Sequence, residues 1–493
     1  MTVVTLGRGA ITVTNPPPGL RDELTYYKRE IFFSKRNHKR EMKGHYENLY
    51  AVNGNTLTTL PGFGHRILEY LRKSGTPFNV KDARFPQPEP NIELACTGAR
   101  DNQIEPIIQS LLSGGGIISL PTGWGKSFIS AALIRAYDPD ELKLRGTPTC
   151  VFAAPDKDIN RKNWEDFVKL FPDRDVGLVM SGVRKFSDDI QVITLDSLHL
   201  LDPDEVGVLV VDEVHTAASA ERSENLSRFK KAVRFGVSAT PGGRFDGGDL
   251  LTEGLFGPVV VRRTYQDGVK TGALVPITVY WLRAPKPHVG LQYYNQYKTR
   301  DAKIKAAIIK NPEYSRLVAS LMTRIPESRQ AVCFTQWIQQ MANIHDLCRD
   351  IPYVHAQTHE GVGTVKAISP KERKEIYKLF ESGDIRKIFA TYCWKQGVNF
   401  VNLDIVVNAS GGGSDIVAKQ VPGRASRKVE GKDRAYVVDF LHEWDYYEDE
   451  RGRRKPGPLM SCDLSRRRSY KDLGFEQVTV DSVDELPFIK EGQ

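Results

Sequence analysis

The fold class this sequence predicts is α/β: two tandem domains built on parallel sheets, with a small N-terminal accessory domain and a basic C-terminal tail. Three observations carry the prediction. Short apolar runs recur between helix-like segments, and this alternation appears twice along the chain. A glycine-bearing loop ending in Lys126-Ser127 follows one such run, and a pair of carboxylates, Asp212-Glu213, follows another. Strands spaced by helices build parallel sheets covered on both faces. Such sheets bind ligands outside the carboxyl ends of their strands.

The chain has 493 residues, enough for two or three domains, and a hydrophobic content of 40% that supports sizeable cores. Its formal net charge of +8 suits a polyanionic partner and suits an ordinary basic protein equally. The six cysteines form no C-x-x-C pair, and Cys150 and Cys333 sit inside apolar runs. They read as free thiols in a reducing compartment, with neither disulfides nor zinc. No apolar run is long enough to cross a bilayer, and Met1 to Ala10 has no apolar signal core. A soluble, cytoplasmic protein with no membrane partner is expected.

Residues 1–95 form the expected accessory domain. Asn15-Pro-Pro-Pro18 superficially resembles an amino-methyltransferase motif but lacks the aromatic that stacks on a flipped base, so it reads as a rigid turn. Arg21 to Lys43 reads as a basic helix in which Tyr26, Tyr27, Phe32 and Phe33 interleave with lysines and arginines. That mixture suits a nucleic-acid surface, or the solvated face of a small packed domain. Pro86-Gln-Pro-Glu-Pro90 reads as a linker. The first α/β domain spans 96–283, with strands at Ile117–Leu120, Cys150–Ala154 and Val206–Val211 and a helix over Phe128–Tyr137. The second spans 284–445, with strands at Ala331–Phe334, Lys387–Ala390, Ile405–Asn408 and Ala435–Asp439. Residues 446–493 are expected as a charged extension with basic clusters at Arg451–Lys455 and Arg466–Arg468.

The loop Leu120-Pro-Thr122-Gly123-Trp-Gly125-Lys126-Ser127 has the chemistry of a phosphate cradle. Gly123 and Gly125 let backbone N–H groups turn toward phosphate oxygens, Lys126 reaches the β- and γ-phosphates, and Ser127 holds Mg²⁺. The strict pattern has a small residue where this chain has Leu120. Asp212 is expected to hold the metal, and Glu213 to orient and deprotonate the attacking water. Arg424 and Arg427 lie three apart, so a helix puts them on one face, where arginines can meet charge on a transferred phosphoryl group.

These segments resemble the motifs of superfamily 2 helicases of the DEAD/DEAH class, over roughly residues 97 to 445. The resemblance implies two RecA-like domains, ATP and Mg²⁺ as cofactors, and nucleic acid as the track. Leu120 to Ser127 matches the Walker A loop with Thr122, and Asp212 to His215 the DExH box. Ser238-Ala-Thr240 matches the motif that, with His215, couples ATP to nucleic acid. Gln420 to Arg427 matches the arginine-finger motif, with Gln420, Arg424 and Arg427 as catalytic members. Arg100 and Gln103 resemble the adenine-recognising element, and Gly397, with Thr391, resembles motif V. Ala154-Pro155, Thr194 to Ser197 and Phe334-Thr335-Gln336 resemble strand-contacting motifs, which implies nucleic-acid contacts at Thr194, Ser197, Thr335 and Thr391. The Asp-Glu-Val-His box favours the DNA-translocating branch, and the segments 254–276 and 466–475 are similar to phage recombination helicases of the UvsW type.

The expected function is therefore an ATP-dependent DNA helicase or translocase that remodels branched DNA in recombination, repair or replication. Its partners are single-stranded or branched DNA, RNA or RNA–DNA hybrid as the other tracks, and recombination or replication proteins. The competing readings are an RNA helicase or transcript-release ATPase, a restriction-type translocase, and an ATP-gated clamp that binds without moving.

Overall fold

The computed structural model describes residues 1–34, 39–240, 242, 246–356, 361–391, 394, 400, 402–411, 422–449 and 451–490. The chain divides into two compact units, Met1–Arg263 and Thr264–Gln493.

The first unit opens with β1 (Thr2–Leu6), β2 (Ile11–Thr14), β3 (Thr25–Ser34), β4 (Lys39–Asn48), β5 (Tyr50–Asn53), β6 (Thr56–Thr59) and β7 (Phe78–Asp82). Five of these form a sheet in the order β5-β6-β2-β1-β7. Alternating burial along β1 and β2 turns Val4, Ile11 and Val13 onto Ile67 and Leu71 of the helix Gly64–Lys73.

The basic segment expected as a helix is instead an antiparallel ribbon, β3 paired with β4 from Thr25↔Asn48 to Ser34↔Lys39. Its aromatic and β-branched content favours strand. Tyr27 and Tyr46 face each other across the ribbon as an edge-to-face pair with ring centroids 5.2 Å apart. Gly44 is required there, because a Cβ at that position would lie 2.3 Å from the Tyr27 ring. Between Ala83 and Asn91 the chain has no helix or strand, as expected of a linker, but it is tied down. Gln87 is buried, donating to the Lys231 carbonyl (3.0 Å) and accepting from the Thr147 hydroxyl (3.1 Å).

The rest of this unit carries β8 (Gly116–Ser119), β9 (Thr149–Ala154), β10 (Val176–Met180), β11 (Val183–Lys185), β12 (Ile190–Thr194), β13 (Val206–Asp212), β14 (Val233–Ser238) and β15 (Val259–Arg262). The sheet order is β11-β10-β12-β9-β13-β14-β8-β15, parallel except for β10 with β11. Both faces are covered. Phe152, Val208 and Val210 pack with Ile129 and Leu133, whereas Val151, Leu209 and Val211 pack with Leu226 and Leu255. Strands buried on two sides read as continuous apolar runs, which is why they were legible in the sequence.

The second unit carries β16 (Ile277–Arg283), β17 (Ala331–Phe334), β18 (Tyr353–Val354), β19 (Lys387–Ala390), β20 (Ile405–Asn408), β21 (Ala435–Leu441), β22 (Tyr446–Glu448), β23 (Arg454–Pro456) and β24 (Glu476–Val480). Its main sheet is parallel throughout, in the order β18-β19-β17-β20-β21-β16-β24. Two sequence boundaries are corrected here. The division falls after Arg263 and not after 283, because β16 lies between β21 and β24. The expected C-terminal tail is an integral part of this unit: β24 extends the sheet, and the helix Pro458–Asp472 packs on it.

Candidate nucleotide site

The phosphate loop begins where β8 ends. Leu120 is fully buried in the core, and its N–H donates to the Ser238 carbonyl at 3.0 Å, locking the loop to the end of β14. A small residue is therefore not required at this position. Gly123 (φ +92°) and Gly125 (φ +95°) take the left-handed turn that leads into the helix Lys126–Arg135. A Cβ on Gly125 would sit 2.2 Å from the Gln103 amide nitrogen. Thr122 and Ser127, before and after these glycines, are half-buried.

Trp124 is the anchor of this loop. It is only 1% exposed, and its indole N–H donates to the Asn102 carbonyl at 3.0 Å. Its own carbonyl accepts from Arg100 (3.1 Å) and from Gln103 (3.2 Å). The two residues expected on adenine thus brace the loop from beneath. Gln103 is 1% exposed, and both ends of its amide are used, since Oε1 accepts from the Arg100 N–H at 3.0 Å. In this structure Gln103 supports the loop through its side-chain amide. Arg100 remains exposed.

Two strands away, β13 delivers Asp212 and Glu213. The Lys126 ammonium lies 3.4 Å from the Leu120 carbonyl, within Coulombic range of Asp212. Burial and the neighbouring Glu213 carboxylate push the Asp212 carboxyl up to about 6, against the pull of Lys126. Glu213 adopts a left-handed backbone (φ +48°), rare for a residue with a Cβ, and its N–H donates to Asp212 Oδ1 at 2.9 Å. Its Oε2 is buried with no hydrogen-bond partner among the described residues and lies 3.4 Å from His215 Nδ1.

His215 Nδ1 and Ser238 Oγ are 3.0 Å apart, and Ser238 Oγ accepts from the Thr240 N–H at 3.1 Å. An unbroken series of contacts thus joins Glu213, His215, Ser238, Thr240 and, through the Ser238 carbonyl, the phosphate loop. The donor set fits a nucleotide with its metal. A glycine cradle opens at a helix N-terminus, a lysine and a hydroxyl stand at the loop's end, and a buried carboxylate oxygen awaits a partner.

In the second unit, Arg424 lies on a short helix, 422–425, and is half-buried. Arg427 is not on that helix, contrary to the shared face expected from its spacing. The chain turns at Ser426, and Arg427 forms a β-bridge with Leu274. The Val275 N–H donates to the Ser426 carbonyl at 2.7 Å, pairing that draws the backbone out of helix. Nearby, burial pulls the Lys432 ammonium down to about 8, opposed by Asp404 and aided by Arg427. Gln420 and Gly397 lie outside the described residues.

The expected strand contacts divide. Thr335, which follows β17, is fully buried. Thr194 is also buried, its hydroxyl 2.8 Å from that of Ser197. Ser197 and Thr391 are half-buried, the latter donating its N–H to the Val354 carbonyl at 3.0 Å. Thr194 ends β12, and Thr335 directly follows β17.

Sequence profiles agree with the geometry. The profile described as the Type III restriction enzyme res subunit matches residues 99–243, and that of the Helicase conserved C-terminal domain matches residues 313–429. The DNA 3'-5' translocase XPB2 of Sulfurisphaera tokodaii is 25% identical over 390 residues, 71% of this chain and 82% of the relative. The ATP-dependent DNA helicase uvsW of Enterobacteria phage T4 is 26% identical over 360 residues, 69% of this chain and 67% of the relative. The chain spans 62% of the length of a further, viral relative. Dbp5 of S. cerevisiae, solved with RNA and ADP BeF3, has the same fold at a TM-score of 0.53 and 14% identity, over 80% of this chain and 98% of that one.

Proposed function

Because the chain is a superfamily 2 helicase resembling the UvsW type, we propose that its ATPase drives movement along DNA and remodels branched DNA, by branch migration or by unwinding D-loops or R-loops. It would do so in the cytoplasm of a bacterial or phage-infected cell. The observation that carries this reading is the contact series from Glu213 through His215 and Ser238 to Thr240 and the phosphate loop. A plain nucleotide-binding protein has no need to wire its hydrolytic carboxylate to a neighbouring strand end. A motor must convey the state of one site to another.

Bound Mg·ATP would supply the phosphoryl donor and the metal's charge, with Ser127 and Asp212 as the proposed metal ligands. Lys126 meets the β- and γ-oxygens. Glu213 orients the attacking water and takes its proton. By the resemblance alone, Arg424 and Arg427, with Gln420 of the same motif, would meet charge on the transferred group. The phosphate loop is held by Gln103 and Trp124, so Lys126 and Ser127 are positioned before ATP arrives. His215, Ser238 and Thr240 pass the change at Glu213 onward.

A DNA track is supported by the named activities of XPB2 and uvsW. An RNA track is the second reading, favoured by the shared fold with RNA-bound Dbp5. ATP turnover measured with single-stranded, forked and four-way DNA, D-loops, R-loops and RNA separates them. Branched DNA is expected to stimulate most, and stimulation by RNA alone transfers the assignment to the second reading. Displacement of streptavidin from an end-labelled strand distinguishes movement from an ATP-gated clamp.

A further inference from the structure

At the opposite ends of β8 and β14 from the phosphate loop, the first unit holds a cavity of about 400 Å³. It is bounded by the N-terminal sheet, the start of the helix Gly64–Lys73, and the glycine turn Gly114-Gly115. Three arginines and a histidine line it: Arg8, Arg84, Arg234 and His65. Among the described residues no Asp or Glu does.

Among the described residues no carboxylate forms a direct ion pair with Arg8 or Arg234. Arg234 is 5% exposed and donates to the carbonyls of Phe229 (2.9 Å) and Leu255 (3.1 Å), but its Nε is buried without a hydrogen-bond partner among the described residues. It forms no ion pair among the described residues. Burial and the charge of Arg8 pull its guanidinium down to about 10. Arg8 is likewise lowered by burial and by Arg84, and its Nε donates to the Phe85 carbonyl at 2.8 Å. Asp82, the carboxylate whose charge reaches Arg8, is held by Arg84 at 2.9 Å. His65 is 3.1 Å from Glu253. A buried guanidinium without a carboxylate is costly unless an anion completes the site.

The opening of a ten-residue helix, at Gly64 and His65, adds the positive end of its dipole. Leu68, Leu255 and Phe256 give the cavity an apolar wall. We propose that this cavity binds a phosphoryl group, held by Arg8 and Arg234 and distinct from the ATP site. Its size suits a nucleotide-sized ligand. The group has two sources, a free phosphorylated small molecule or the 5′-phosphate of a nucleic-acid strand end.

The test uses the full chain carrying Lys126→Ala, which silences the phosphate loop. Titration calorimetry with pyrophosphate is expected to give one site per chain. Arg8→Gln and Arg234→Gln should each weaken it about tenfold or more, the scale of one charge-assisted hydrogen-bond set. Arg8 is half-buried, so Arg8→Gln decides the matter if Arg234→Gln fails to fold. Competition with a short oligothymidylate identifies the source. Displacement only by the 5′-phosphorylated form assigns a strand end, and displacement by neither form assigns a small molecule. Equal displacement by 5′-phosphate and 5′-hydroxyl forms, no pyrophosphate binding, or binding unaffected by Arg8→Gln would overturn the proposal.

Discussion

Glu213 and Trp124 carry most of the site's structural cost and support. A left-handed glutamate stores about 1–3 kcal/mol of backbone strain, and such strain persists where the surroundings over-determine it. Here the constraint is the N–H bond to Asp212 and the short turn Val214–Ala218 that follows. Trp124 provides the rigidity on the other side. Trp124→Ala is expected to destabilise the first unit by about 3–5 kcal/mol, as large-to-small core substitutions do. Trp124→Phe should retain most of the packing and lose the indole bond to Asn102, about 0.5–1.5 kcal/mol. Thermal unfolding of both variants checks this, and equal losses would mean that the hydrogen bond, not the packing, anchors the loop. The identity of the loop was legible because glycine, lysine and serine are needed at fixed spacing. The supports were not. Gln103 and Trp124 act through backbone carbonyls, and a carbonyl leaves no mark in sequence.

At the scale of elements, what could be read depended on whether burial was two-sided. The strands β9, β13, β17 and β20 are apolar apart from Thr149, Asp212 and Asn408 at their ends, and stood out. The basic segment 21–43 did not, because its aromatic and charged residues satisfy a helical spacing as readily as a ribbon's alternation. Arg66 on the helix Gly64–Lys73 grips Glu253 on the helix Asp249–Phe256 with two bonds, of 2.9 and 2.8 Å, and fastens the N-terminal sheet to the larger one. Burial would raise the Glu253 carboxyl, but His65 and Arg66 hold it down to about 2. A depressed carboxyl stabilises the fold above its ordinary value of 4.5, and that stabilisation is lost as pH falls toward about 2. The difference in unfolding temperature between the wild type and Glu253→Gln should therefore be largest near neutral pH and shrink below about 4.5. A difference constant from pH 7 to 2.5 would show that the carboxylate's charge contributes nothing.

For the molecule as a whole, the largest departure from the sequence reading is the C-terminal segment. Arg466, one of three consecutive arginines, is 1% exposed. It grips Asp439 with bonds of 2.8 and 3.0 Å and Asp463 with one of 2.9 Å, while Tyr470 and Asn408 also donate to Asp439. Asp463, Arg466 and Tyr470 share a helix face, which a run of arginines conceals. Breaking such a buried pair costs about 3–5 kcal/mol. Arg466→Ala should thus unfold the second unit at markedly lower denaturant, whereas Arg468→Ala should not. Equal effects would return the segment to a solvated tail. The same network joins Asn408 of β20 and Asp439 of β21 to the C-terminal helix, and it explains why a domain boundary drawn at 445 fails.

The proposed mechanism turns on Glu213 as the base of a nucleic-acid-stimulated ATPase. Its most direct test is single-turnover ATP hydrolysis by Glu213→Gln with saturating DNA, alongside nucleotide binding by the same protein. The expected result is hydrolysis slowed by about 10²–10⁴-fold with binding retained. Turnover at the wild-type rate would contradict the assignment.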